Sequence, residues 1–142
     1  MKQGIIKDIS SNRVNNWAVT KDIHWESTGN FGQAVGTSLQ GYISAKFSTL
    51  GFTFGKPTEI ENAYEGDQKV DVTWVITFSD NEVATIYNYK NGKNYLGNEG
   101  QNVTSMTEWN VGGTSPQVVK RVAMLIGLQS ESVNIPSYMR SK

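Results

Sequence analysis

The chain has 142 residues, with 13 basic and 13 acidic side chains, one histidine and no cysteine. That length suffices for one domain with a real core. The balanced charge disfavours nucleic acid as the main partner, and the missing cysteines exclude disulfides, thiolate metal sites and a thiol nucleophile.

With His24 alone, a catalytic triad, a zinc site and a two-histidine relay are also excluded. No apolar run is long enough to cross a bilayer and no signal-peptide pattern occurs. Neither a metal nor a cofactor is expected.

Residues 1–35 read as an irregular arm, extended or folded into a hairpin. Ile5, Ile6 and Ile9 start a short strand, and Trp17, Val19, Ile23 and Trp25 alternate after a polar stretch. Gly29-Asn30-Phe31-Gly32 reads as a turn. The two tryptophans need burial, in the protein's own sheet or against a partner subunit.

The core is expected over 36–128. Residues 36–43 alternate as a strand, and Ser44 is placed to cap a helix carrying Phe47, Leu50 and Phe54. Gly55-Lys56-Pro57 stops that helix. A rival reading caps one longer helix at Thr37 with Gln40, which Gly41 opposes. The following polar loop carries Glu59, Glu61, Glu65 and Asp67, a solvated acidic loop or a hard-cation site without calcium-loop spacing.

Residues 70–90 form the central hairpin. Val70, Val72, Trp74, Ile76 and Phe78 alternate with Asp71, Thr73, Val75, Thr77 and Ser79, which sends one set to a core and the other to solvent. A two-residue Asp80-Asn81 loop would pair Phe78 with Val83, Ile76 with Thr85 and Trp74 with Tyr87. It would also set Asp71 opposite Lys90. After a turn at 91–94 and a glycine-punctuated loop at 95–100, residues 104–111 read as a third strand containing Trp109 and Val111. Gly112-Gly113-Thr114-Ser115-Pro116 opens a helix, with Ser115 as N-cap and Pro116 at the first position. Val118, Val119, Val122, Ala123, Leu125 and Ile126 supply its apolar stripe. The polar tail, 129–142, is expected to be loosely ordered or docked on a neighbour. The whole is a single α+β domain: an antiparallel sheet with helices packed on one face.

The strand-to-helix corner at Gly112, Gly113, Thr114 and Ser115 is the candidate site. Bare amides and the positive end of a helix dipole suit a phosphate. Lys90 and Lys93 add charge nearby. Tyr87, Tyr89, Tyr95 and Trp109 offer surfaces on which a base could stack. Thr37, Ser38 and Gln40 could hydrogen-bond a base edge or ribose. Neither the phosphate-loop lysine spacing nor a dinucleotide fingerprint is present. The plainer alternative is a helix capped by its own Ser115, with the aromatics in the core. Asp67, Asp71 and Glu108 are available for acid–base chemistry, but nothing marks a convergent pair. The helix–three strands–helix order is also similar to the double-stranded RNA-binding domain, whose basic cluster at the second helix is missing: Lys120 and Arg121 come too late.

Several words carry a resemblance: Gly36-Thr37-Ser38-Leu39-Gln40-Gly41-Tyr42-Ile43, Phe54-Gly55-Lys56-Pro57, Asp67-Gln68-Lys69-Val70, Val83-Ala84-Thr85-Ile86-Tyr87-Asn88-Tyr89-Lys90 and Trp109-Asn110-Val111-Gly112-Gly113. With Trp74 and Phe78, they make residues 36–122 similar to a group of short bacteriophage-encoded proteins. Members of that group often carry histidine where Asn110 stands. The resemblance implies a phage product acting in the host bacterial cytoplasm, where small accessory proteins block host defence. Together with the site, it leads to an expected homo-oligomer that sequesters a small nucleotide-type signal without catalysis. The alternative is a protein–protein inhibitor of a host defence factor, in the manner of an anti-CRISPR protein. The partner is thus a small phosphate-containing ligand or a host protein, with no membrane.

Overall fold

The computed structural model describes residues 2–12, 17–61 and 69–129. Its elements, in chain order, are β1 (Gln3–Asn12), β2 (Trp17–Thr28), β3 (Ser38–Ser44), α1 (Phe47–Phe54), β4 (Glu59–Ile60), β5 (Val72–Phe78), β6 (Val83–Tyr87), α2 (Lys93–Leu96), β7 (Glu108–Gly113) and α3 (Gln117–Gln129). All strands join one antiparallel sheet in the order β1-β2-β5-β6-β7-β3, and β4 also pairs with β5. The fold is α+β, as the pattern of strands and helices predicts.

The arm is regular: β1 and β2 form a long hairpin, and β2 docks on β5 by pairing Trp25 with Phe78 and Thr28 with Val75. Trp25 is buried in the protein's own sheet, edge-on to Phe54. The Trp17 side chain, Glu65, Asp67 and residues 130–142 of the tail expected at 129–142 lie outside what is described, and Gln129, expected to begin that tail, ends α3.

The core lies between the sheet and the two longer helices. Trp74, Ile76, Ile86, Trp109 and Val111 meet Leu50 and Phe54 of α1 and Val118, Val122 and Leu125 of α3. Trp74 and Trp109 stack edge to face at 5.7 Å. Their indole N–H groups donate to the carbonyls of Gly55 (2.8 Å) and Ala45 (2.9 Å), so neither polar tip is stranded in the core. Gly55 ends α1 with a φ of 83°, a positive value that glycine reaches without the strain a side chain would bring.

Several local expectations need correction. The β5–β6 register is one residue away from the expected one: Trp74 pairs with Ile86 and Thr77 with Val83. The cause is a three-residue loop. Asn81 takes a φ of 71°, its amide donates to the Phe78 carbonyl, and the Phe78 amide donates to the Glu82 carbonyl. Asp71 does not meet Lys90. Instead it accepts from the Asn88 side chain (2.7 Å) and from the Asn94 amide (3.3 Å). Buried Asn88 also takes the Asp71 and Val72 amides, which ends the ladder there. Ser44 does not cap α1; its hydroxyl donates to Glu108, and the helix starts after Lys46 without a side-chain cap. β7 begins at Glu108, because residues Val103–Ser105 wind into a 3-10 turn.

The second face of the sheet is not solvent-facing at its centre. Val75 is fully buried and Thr73 nearly so. The chain leaving β2 crosses this face as a 3-10 turn, Phe31–Ala34, packed over β5 and β6. The Asn30 side chain starts that turn by accepting from the Gly32 amide (2.9 Å).

A candidate ligand pocket behind Gly112

The strand-to-helix corner is filled by the chain itself. Gly112 and Gly113 lie in the ladders that tie β7 to β3 and β6. The Thr114 amide donates to the Val83 carbonyl (3.0 Å), and the Val83 amide donates to Thr114 Oγ1 (2.9 Å). The hydroxyls of Thr114 and Ser115 then donate to Glu82 Oε1, at 2.7 and 2.6 Å. The Val118 amide at the start of α3 donates to the Ser115 carbonyl (3.3 Å), while the Ser115 hydroxyl is turned to Glu82. Glu82 places a carboxylate just ahead of α3, where the helix dipole favours negative charge. An incoming phosphate would meet that carboxylate.

The two glycines serve different layers. A Cβ on Gly113 would run into Val118 of α3 and lie 2.7 Å from the Val83 carbonyl oxygen. A Cβ on Gly112 would lie 2.5 Å from Thr85 Oγ1 and 3.5 Å from Tyr87 Cε1. Gly112 thus belongs to the far face of the sheet, where it helps to floor a cavity of about 420 Å³.

Thr73, Thr85 and Gly112 make the floor of that cavity, with Tyr87 beside them. Phe31, Ala34 and Val35 of the crossing segment form an apolar rim, and Thr37 and Ser38 follow at the start of β3. Gly32, Val70 and Glu61 complete the lining, and Glu61 is its one charged residue among those described. Val35 is 85% exposed and Phe31 44%, so the rim meets solvent. A wall of hydroxyls, aromatic rings and a single carboxylate suits a neutral or donor-bearing group. It does not suit a bare phosphate.

Of the residues singled out from the sequence, Thr37, Ser38, Tyr87 and Gly112 come together here. Gln40 stands behind them at the β3 bulge, donating to Ser38 Oγ (3.3 Å) and the Gly113 carbonyl (3.0 Å). Trp109 is a core residue, and Gly113, Thr114 and Ser115 belong to the filled corner. Tyr89, Lys90 and Lys93 lie beyond the end of β6, outside the lining. The Lys90 ammonium there sits 5.3 Å from the Tyr89 ring centroid and 5.5 Å from that of Tyr95.

Sequence reasoning missed Phe31, Glu61, Thr73 and Thr85. The signal for two of them was available: two threonines on one face of neighbouring strands, with a glycine on the next strand, mark a place where something approaches the sheet closely.

Among the described residues, no three His, Asp or Glu side chains converge as a metal site. No helix among them is long and apolar enough to cross a membrane. Comparison with protein-family models, with curated proteins and with solved structures gives no match.

Proposed function

We propose that this protein binds and sequesters a small nucleotide-type signal in the pocket behind Gly112, without turning it over, as a phage accessory factor directed against host defence. The observation that carries the reading is the cavity itself. Its 420 Å³ falls within the range of small-molecule sites, and it combines aromatic walls with placed polar groups. In this reading a base lies against Tyr87 and directs its donor edge to Glu61 and the threonine hydroxyls. The phosphates point through the open rim, since no cation stands among the described lining residues. The lining offers one carboxylate and one phenol. Hydrolysis of a phosphoester would also call for positive charge on the transferring phosphoryl group, and the described lining carries none, so holding the ligand is the better reading.

Thermal denaturation with a panel of linear and cyclic nucleotides tests this. A dose-dependent rise in melting temperature that disappears in Tyr87→Ala supports it. No shift with any nucleotide removes it.

A second reading is favoured by a different observation. Val35, Leu39 and Tyr42 are 85%, 48% and 66% exposed, and the latter two lie on β3, the outer strand beside β7. Such an edge suits strand addition or docking by a host defence protein. Affinity capture from host lysate tests this reading: a defence protein retained by the wild type and lost with Tyr42→Glu would favour inhibition over sequestration.

A further inference from the structure

We infer that a second concavity, at the C-terminal end of α1, is an oxyanion site that takes a phosphate group. It is separate from the pocket behind Gly112 and rests on different residues. Its volume is about 380 Å³, and its lining includes Lys2, Lys56, Ser27, Thr28, Thr58 and Phe54. No carboxylate is among the described lining residues, so its formal charge comes from two ammonium groups. Neither lysine forms an ion pair among the described residues. Two like charges beside one small hollow repel, and an anion between them relieves that repulsion.

The lysines are brought there by the fold. The Lys2 carbonyl accepts from the Ser27 amide (2.8 Å), which ties the start of the chain to β2. A Cβ on Gly55 would lie 3.3 Å from Lys2 Cγ, so the bare glycine lets the Lys2 stem cross the end of α1. Lys56 follows directly, held between Gly55 and Pro57. The floor is fixed, because the Thr58 hydroxyl donates to the Thr28 carbonyl (2.6 Å) and accepts from the Val75 amide (2.9 Å).

Lysines also favour a helix C-terminus for the sake of its carbonyls. Two of the carbonyls there already have donors from the chain: Gly51 takes the Gly55 amide and Gly55 takes the Trp74 indole. The Lys2 ammonium stands 5.4 Å from the centroid of the exposed Phe52 ring, a weak solvent-facing contact that a phosphate can outcompete, and Lys56 has no ion-pair partner among the described residues. Inorganic phosphate and a nucleoside monophosphate present the same group, and the experiment separates them.

The test is an amide-resolved NMR titration at constant ionic strength, following Thr28, Gly29, Gly55, Lys56 and Thr58. Inorganic phosphate should give saturable shifts at these amides, and adenosine without phosphate should give none there. Adenosine monophosphate binding more tightly than inorganic phosphate would identify the nucleotide as the fuller ligand; equal affinity would identify phosphate alone, and both results support the site. In Lys2→Gln/Lys56→Gln, both changes at exposed side chains, the affinity should fall at least about tenfold. Tyr87→Ala should leave it unchanged, which separates this site from the pocket behind Gly112. Shifts that never saturate, equal shifts with chloride, or wild-type affinity in the double variant would each overturn the inference.

Discussion

Replacing Glu82 by alanine tests whether the corner ahead of α3 is held by the chain's own carboxylate. Two hydroxyl donors are lost to it, from Thr114 at 2.7 Å and Ser115 at 2.6 Å. A hydrogen bond to a charged group contributes about 1.5–3 kcal/mol at a protected site. Thr114 is exposed and Ser115 half-buried, so water replaces much of this, leaving about 0.5–1 kcal/mol for each. The favourable placement near the helix dipole adds about 0.5 kcal/mol. The expected cost is then about 1.5–2.5 kcal/mol. For a chain of this length the unfolding entropy is roughly 0.3 kcal/mol/K, so the melting temperature should fall by about 5–8 °C. Glu82→Gln keeps an acceptor and loses only the charge, and should fall by about 2–3 °C. Circular dichroism melts at neutral pH and low salt read both values. An unchanged melting temperature in Glu82→Ala would refute the reasoning, as would a glutamine variant as unstable as the alanine one.

Asp80→Asn removes a carboxylate partner of Arg121, whose side chain is 4% exposed and whose guanidinium is bonded to that carboxylate at 2.7 and 3.0 Å. The cost at neutral pH should be about 2–3 kcal/mol, read by urea denaturation. The Arg121 hydrogen bond is the main cause that holds the Asp80 carboxyl below its ordinary value. Its stabilisation is therefore complete above the unfolded carboxylate range and is lost as pH falls through the lower folded value. The wild-type and Asp80→Asn stability curves should therefore converge only once the pH lies below the ordinary aspartate range, where Asp80 is protonated in the folded state as well. Gly113→Ala forces a methyl against Val118 and the Val83 carbonyl, and should lower stability by about 1–3 kcal/mol while leaving the far-face pocket able to bind, as a thermal-shift titration would show. Thr85→Val keeps the volume of the pocket floor and removes a hydroxyl; stability should change by less than about 1 kcal/mol while nucleotide affinity drops by calorimetry. Asn88→Ala strands the Asp71 and Val72 amides and should cost about 2–3 kcal/mol in the same denaturation assay.

The sheet and both longer helices were legible because their signals are local. Alternation from Val72 to Phe78, the Gly55-Lys56-Pro57 stop and the apolar stripe of α3 each require only neighbours in sequence. The register failed by one residue because it depends on whether Asn81 takes a positive φ, which a dipeptide does not decide. The second face of β5 was read as solvent-facing because threonines alternate there. What buries it is the 3-10 turn starting at Phe31, a contact more than forty residues away in sequence. The candidate corner was recognised correctly as a strand-to-helix junction. Its occupant, Glu82, comes from another hairpin, and no spacing rule connects the two. Gly112 and Gly113 read alike in the sequence, yet alternation turns one to the pocket and the other to α3.

Native mass spectrometry addresses the pocket most directly. The protein would be incubated with a nucleotide-containing bacterial extract, desalted and measured intact. The account predicts a discrete added mass of nucleotide size, released on denaturation and absent from a Tyr87→Ala variant that remains folded by circular dichroism. The unliganded chain mass alone, or an identical added mass in the variant, would contradict it.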